Sequence, residues 1–573
     1  MASPDRLTID DVDCRPAAAR LDDADVAGSM PVAGPSTALL RHSTERMLAR
    51  DRPIDLVAVL ATFVAYVVLD RWTALIAVIT EDDLGRFSLL GAAVANRWWL
   101  VVPFVIVAAA GLRHDARALL APWSALQHGG ALRLLTGVLV ALLTWQAALY
   151  DVNFVAGRVH ALDRLVVVGL AVAALYRPVA IVAFVLQVRI INEQFLHPFG
   201  TVAAKNVDEL LLIALLAIAA CHVIYVVTGR NDTSPVLLII GAAVAAHFFW
   251  PGKAKLVSDW VNLTDISDLP LSSHSAGWLG STDGGVARAM SGFFDFFRTP
   301  VLIGTLIIEV GALFAALHPK LLRLWIPGFV LFHAMTFITT GFFFLGWTLL
   351  ELGLLAALSL PRFRDWVAAN ATPARGLVSV AAVVGGTILF HPPGLAWFDA
   401  PISYGYEIEA VGDSGAPYHV PISALAPLDQ DVSFARLQLS DRLAASGGYG
   451  ALGTAYELER LRGIDDFEAL AAYEVELGDP PPTDRSQRYF LDFFDHVNDG
   501  RRLGWFGLGP PDRFWTSRED PVFDYEEPLQ RLEVTLVASI HGDDAPISRR
   551  QVVLVIEADA EGRGVVVGQS LGG

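Results

Sequence analysis

The chain has 573 residues, 54% of them hydrophobic and 18% charged, with a mean hydropathy of +0.48. That balance argues against a wholly soluble protein, because apolar runs of roughly 18 residues or more cross the hydrocarbon core as helices. Most of the formal net charge of −18 lies past Trp397, where 31 acidic residues face 14 basic ones; such a surface repels polyanions, so no nucleic-acid partner is expected.

Residues 1–45 carry Pro, Asp, Ala and Gly without a period and read as a disordered tail. No apolar core follows closely on the start, so no secretory signal is expected. Cys14 and Cys221 are the only cysteines and lie too far apart in character to form a disulfide framework. Arg41, Arg46, Arg50 and Arg52 precede the first apolar run, which places the N-terminus in the cytoplasm by the positive-inside rule.

A transmembrane bundle is expected over residues 50–392. Candidate spans are 54–79, interrupted by Asp70 and Arg71; 98–112; 132–150; 165–188, with Arg177-Pro178 kinking one helix or separating two; 209–228; and 236–250. A long polar stretch at 252–299 follows, rich in aromatic residues and suited to function or to the interface. Further spans are 300–317, then 325–358, which is either two helices around Gly341 or one long tilted helix, and 376–390. The expected total is nine or ten, and an odd count puts the C-terminal part on the outer face. The fold class is thus mainly α: a polytopic helix bundle followed by an acidic soluble domain over 397–573, β-rich or α/β. Alternation marks strands at Tyr404–Ala410, Arg531–Ser539 and Gln551–Glu557, a helix is expected at Tyr456–Ala472, and the Pro-rich Asp479–Thr483 marks a loop. Arginines number 38 against four lysines. With the Ala, Val, Leu and Gly bias, this suggests a bacterial plasma-membrane protein whose first partner is the lipid bilayer.

A titratable residue at membrane depth is costly and marks function by default. His222, His247, Glu309, His333 and Glu351 fall in candidate spans. Any one histidine can instead simply hydrogen-bond a neighbouring helix, and Glu309 can share a proton with a histidine such as His333. Two of the four lysines, Lys253 and Lys255, fall within three positions just past the sixth span. They either snorkel to the headgroups or supply an amine that, in a dry pocket, serves as a general base. No Walker A loop, HExxH, paired CxxC or nucleophile elbow occurs, and no metal site is expected.

The segment Phe248-Phe249-Trp250-Pro251-Gly252-Lys253-Ala254-Lys255-Leu256-Val257-Ser258-Asp259-Trp260 resembles a stretch of the vitamin K-dependent gamma-glutamyl carboxylases, which share the horizontally transferred transmembrane (HTTM) domain. The common pattern is an aromatic pair, then Gly, Lys-Leu and Asp-Trp. Glu309, Phe332-His333 and the Phe-rich 341–347 look like the closing part of that domain. The family's Asn-Asn-His-like loop is reduced here to His160 and Asn153, and a glycine common after the tryptophan is missing.

The resemblance implies Lys255 as catalytic base, with His160 orienting or protonating an intermediate. Asp259, Trp260, Glu309, His333 and His247 would support the pocket. It also implies a reduced quinone of the vitamin K or menaquinol type, O2 and CO2 as reactants, and a peptide or protein glutamate as substrate. The rival expectation is a non-enzymatic anchor that displays the acidic domain, with Lys255 facing the headgroups. A transporter ranks last, because no internal repeat is evident.

Overall fold

The computed structural model describes residues 53–79, 88–102, 105, 109, 118–149, 161–199, 203–275, 278, 284–341, 344–393, 398–399, 401–420, 425, 432, 435, 437–440, 450–451, 460–478, 483–499, 523, 526–541 and 547–568. The expected tail at 1–45, His160 and Asn153 lie outside them.

Helices dominate up to residue 389. They are α1 (Pro53–Ala77), α2 (Leu89–Asn96), α3 (Gly129–Leu149), α4 (Ala161–Tyr176), α5 (Ala180–Phe199), α6 (Ala203–Thr228) and α7 (Ser234–Val257). Next come α8 (Trp260–Leu263), α9 (Asp268–Ser275), α10 (Gly285–Phe296), α11 (Arg298–Ala315), α12 (Pro319–Thr340), α13 (Leu345–Ser359), α14 (Arg364–Asn370), α15 (Pro373–Val384) and α16 (Gly386–Leu389). Within α1, α3, α6, α7, α11 and α12 run six segments long and apolar enough to cross a membrane, or seven if the bent pair Pro361–Asn370 and Pro373–Val384 is one span. The nine or ten expected crossings are therefore not matched among the described residues. Arg177-Pro178 ends one helix, and α5 returns against α4, which at 16 residues is short for a crossing. The expected last span, 376–390, is divided between α15 and α16 and follows an 80° bend between Asn370 and Pro373, and most of 98–112 lies outside the description.

Burial ranks the spans. The spans in α6 and α7 are 78% and 83% buried, whereas those in α11 and α12 are 28% and 22% buried. The first two form the centre, and the others turn apolar side chains such as Ile307 and Leu331 outward, where only lipid can solvate them. Five hydroxyls in the bundle are satisfied locally: Thr62, Thr73, Thr336, Thr339 and Thr340 each donate to the carbonyl four residues back. The 325–358 stretch is two helices. Gly341 caps α12 in the left-handed region at φ 73°, and a Cβ there would fall 2.5 Å from the Trp278 ring, so glycine is required twice over.

The helix ends sort into two groups. Thr233 donates to the Gln127 carbonyl, and Trp366 and Asn370 donate to the carbonyls of Thr233 and Ser234. These bonds gather the starts of α3, α7 and α14 at one end. At the other end Tyr66 and Arg71 reach the carbonyls of Leu389 and Ile388. There Arg189 bridges Asp70 at 2.7 Å and Glu209 at 2.8 Å. The Asp70-Arg71 interruption thus belongs to a charged junction of α1, α5 and α6. The polar 252–299 stretch holds α8, α9 and α10.

The C-terminal domain contains β1 (Phe398–Asp399), β2 (Ile402–Gly412), β3 (Pro417–His419), β4 (Gly450–Ala451), β5 (Leu529–Ile540), β6 (Ile547–Ala558) and β7 (Gly564–Gly568). Five strands form an antiparallel sheet in the order β3-β2-β5-β6-β7. The three strands expected from alternation all lie within β2, β5 and β6. Of the expected helix at 456–472, residues 460–462 and 467–472 are helical, 463–466 break it and 456–459 lie outside the described residues; the second part runs on as α17 (Phe467–Glu476), where Asp466 Oδ1 accepts from Ala469 N at 2.8 Å and caps its start. A second helix, α18 (Asp484–Asn498), covers the sheet with Tyr489, Phe490, Phe493 and Phe494. The domain meets the bundle through α9 against β2 and α18 against α5.

One histidine near that junction gives the domain a pH dependence. Ser403 Oγ and His541 Nε2 lie 2.9 Å apart in the interior. Burial, and then the nearby His274, pushes His541 down to about 4. An unfolded histidine titrates near 6.5. Because the folded value is the lower one, the stabilisation is complete above about pH 6.5 and is lost as pH falls through about 4. Acidification across that window is expected to cost up to about 3 kcal/mol through this group. Asp492 runs the other way, since burial raises it to about 6; its contribution is lost as pH rises toward that value. Thermal unfolding of wild type and His541→Gln between pH 4 and 7 separates the two, because Asp492 is common to both. Identical slopes would sink the assignment to His541.

Candidate functional site

Phe248, Gly252 and Lys255 occupy positions i, i+4 and i+7 of α7 and so share one face. That face meets α11. A Cβ on Gly252 would stand 2.7 Å from Glu309 Cβ and 3.0 Å from Val310 N. The missing side chain lets the two helices approach closely enough for Lys255, one turn on, to reach across. Lys255 Nζ pairs with Glu309 Oε1, and the two residues are 7% and 2% exposed. Aromatic faces complete the cation's surroundings: the Trp260 ring lies 5.0 Å and the Phe332 ring 5.8 Å from Nζ.

A second acid–base pair lies behind this one. His333 Nε2 is 3.0 Å from Glu351 Oε1, joining α12 to α13. Its ring is walled by Phe248, Phe344 and Trp347 at 5.3, 4.9 and 5.7 Å. Phe248 and Phe332 stand between the pairs, with ring centroids 5.9 Å apart. Among the described residues Glu309 Oε2, Glu351 Oε2 and His333 Nδ1 are buried without a hydrogen-bond partner. Each pair thus keeps spare polar capacity inside a dry aromatic setting.

The remaining expectations divide. Lys253 is exposed and stacks its ammonium 4.1 Å from the Trp250 ring, so it snorkels, whereas Lys255 two positions on does not. Trp260 joins the site. Asp259 does not: it is exposed at φ 55°, and its Oδ1 accepts from Asn262 Nδ2 at 2.7 Å. His247 also stands apart, with Nδ1 2.8 Å from the Ala243 carbonyl and the ring edge-on to Trp347 at 5.1 Å. The suggested Glu309–His333 contact is replaced by two separate pairs, because α7 rather than α12 presents the charge opposite Glu309. His222 Nε2 lies 3.2 Å from the Leu119 carbonyl, at the end of a neighbouring helical segment. Glu351 is the member of the site that the sequence marked without giving it a role. The signal available was charge balance, since an intramembrane histidine and carboxylate tend to meet.

No group of three or more His, Cys, Asp or Glu side chains suited to a metal ion occurs among the described residues. A small cavity, open at its mouth, lies at the other end of the bundle between Leu238, Leu322, His318 and Arg375. None of the expected site residues lines it. Comparison with protein-family models, curated proteins and solved structures finds no match to this chain.

Proposed function

We propose that this chain is a membrane enzyme of the quinol-dependent carboxylase type, with the Lys255–Glu309 pair as its acid–base centre. The observation that carries the reading is the contrast between two neighbouring lysines: Lys253 reaches outward, while Lys255 is drawn inside the bundle against a carboxylate and two aromatic rings. Burying a lysine is costly, and snorkelling would avoid the cost. A site that uses the amine explains why it is paid.

The residues fit a quinol. Trp260 and Phe332 offer flat apolar faces to a ring, and Glu309 Oε2 is an acceptor without a partner among the described residues. A reduced quinone, when bound, supplies the electrons that activate O2, so that a peptide glutamate can lose a proton and take up CO2. Lys255 and Glu309 hold one transferable proton between them. In the tautomer with that proton on Glu309, the Lys255 amine would be free to accept a second proton from a ring hydroxyl, which leaves Lys255 as the ammonium and Glu309 as the neutral acid. The aromatic wall of Phe248 and Phe332 keeps this exchange separate from His333–Glu351 and excludes water. In this reading His160 orients the reacting groups and the peptide substrate approaches from the C-terminal domain.

The N-terminus is cytoplasmic and the C-terminal domain outside, in a bacterial plasma membrane. Arg41, Arg46, Arg50 and Arg52, ahead of the first span, support this. A second reading, an anchor for the acidic domain, is favoured by one observation: the cavity between Leu322 and Arg375 does not touch Lys255. Quinol oxidation and epoxide formation by the purified protein in liposomes decide between them. Wild type is expected to turn over, and Lys255→Ala and Lys255→Arg to lose about 100-fold or more, the usual scale of a general base. Unchanged turnover in Lys255→Ala, or none in wild type, would leave the anchor.

A further inference from the structure

Arg375 is the third residue of α15 and is only 6% exposed. Its Nη1 donates to Ser234 Oγ at 2.7 Å and to Asn370 Oδ1 at 3.4 Å. Both acceptors are neutral. Among the described residues no carboxylate contacts this guanidinium directly; Ser234 Oγ, which accepts from it, donates in turn to Asp232 Oδ2 at 3.0 Å, so the nearest counter-charge stands one hydroxyl away. A buried cation whose counter-charge is held off by a hydroxyl is only partly compensated.

Its position adds to the cost. The first turn of a helix is the positive end of the peptide dipole, where a cation is disfavoured and an anion favoured. The start of α12 faces the same space, with Pro319 as its first residue and His318 Nδ1 accepting from Lys320 N. Arg375 lines the cavity there together with Ser379, Asn370 and the apolar side chains of Leu237, Leu238 and Leu322. Ala316, the C-cap of α11, and Leu358, in the last turn of α13, line it too, so helix ends of both signs face the cavity and the buried Arg375 is its distinguishing charge.

We propose that this cavity binds a phosphate-type oxyanion through Arg375, whose fork of donors matches two oxygens of such a group. The anion gives Arg375 a direct counter-charge in addition to the one that Asp232 supplies through Ser234. Free phosphate and the headgroup phosphate of an anionic phospholipid share this chemistry. The site lies at the opposite end of the bundle from Lys255 and stands independently of the carboxylase reading.

The test uses the full chain purified in a zwitterionic detergent, with thermal unfolding followed by tryptophan fluorescence. Inorganic phosphate, phosphatidylglycerol and phosphatidylcholine are titrated separately. Wild type is expected to show a saturable upward shift of a few degrees with phosphatidylglycerol, and Arg375→Gln to show none. A shift with inorganic phosphate as well assigns the site to the free ion; a shift with phosphatidylglycerol alone assigns it to the headgroup. Ser379→Leu keeps the charge but fills the cavity, and it too is expected to lose the shift, which keeps the proposal testable if Arg375→Gln does not fold. A purely structural arginine would lower the midpoint of Arg375→Gln equally with and without anion. The proposal is overturned if wild type responds to neither anion, or if either variant retains the wild-type shift.

Discussion

Replacing Lys255 with methionine is expected to lower the unfolding free energy by about 3–5 kcal/mol, the usual cost of stranding one partner of a buried ion pair. The pair lies between α7 and α11, with side chains only 8% and 3% exposed, so Glu309 left alone would have neither water nor a cation. Glu309→Leu alone should cost a similar amount, because it strands the ammonium. The double variant Lys255→Met, Glu309→Leu should regain most of the loss, since two apolar side chains fill the same space without uncompensated charge. A cycle of the four proteins in mild detergent measures the coupling directly. A coupling below about 1 kcal/mol, the range of exposed pairs, would contradict a closed contact. Folding and catalysis are separable here: Lys255→Met with Glu309→Leu should be stable yet inactive.

Arg189→Met is expected to be more damaging. Arg189 holds Asp70 Oδ1 and Glu209 Oε1, and also donates to the Asp70 carbonyl at 2.6 Å and Thr73 Oγ1 at 2.8 Å. These bonds tie α1, α5 and α6 together. Removing the guanidinium leaves two carboxylates beside each other at the bundle end, with no cation between them. The loss should reach at least about 5 kcal/mol, beyond that of a single broken pair, and exceed the stability margin of most proteins' weaker elements. Size-exclusion profiles and protease resistance after expression would show an aggregated, cleavable protein. Adding Asp70→Asn and Glu209→Gln to Arg189→Met should restore part of the folded fraction, because it removes the repulsion but not the lost bonds. A monodisperse single variant with wild-type protease resistance would show that this junction does not hold the helices.

The membrane-embedded character was legible in composition and run length, because lipid admits only segments whose apolar length spans it. The strands β2, β5 and β6 were legible because one face of that sheet is buried and the other wet, which writes a period of two into the chain. Breaks at Arg177-Pro178 and Gly341 were visible from local backbone chemistry, and Lys255 stood out because lysine is rare here. Tertiary structure decided the rest. Within the bundle, core-facing and lipid-facing side chains are alike apolar, so periodicity carries little information about which helices touch. It therefore did not show α4 folding back on α5, the 80° bend before α15, or the count of six or seven spans. The amphipathic α18 was overlooked between irregular segments. The partner of Lys255 was undetermined for the same reason: Glu309 lies 54 positions away. Only the close approach allowed by Gly252 brings Glu309 opposite the amine and leaves His333 to Glu351.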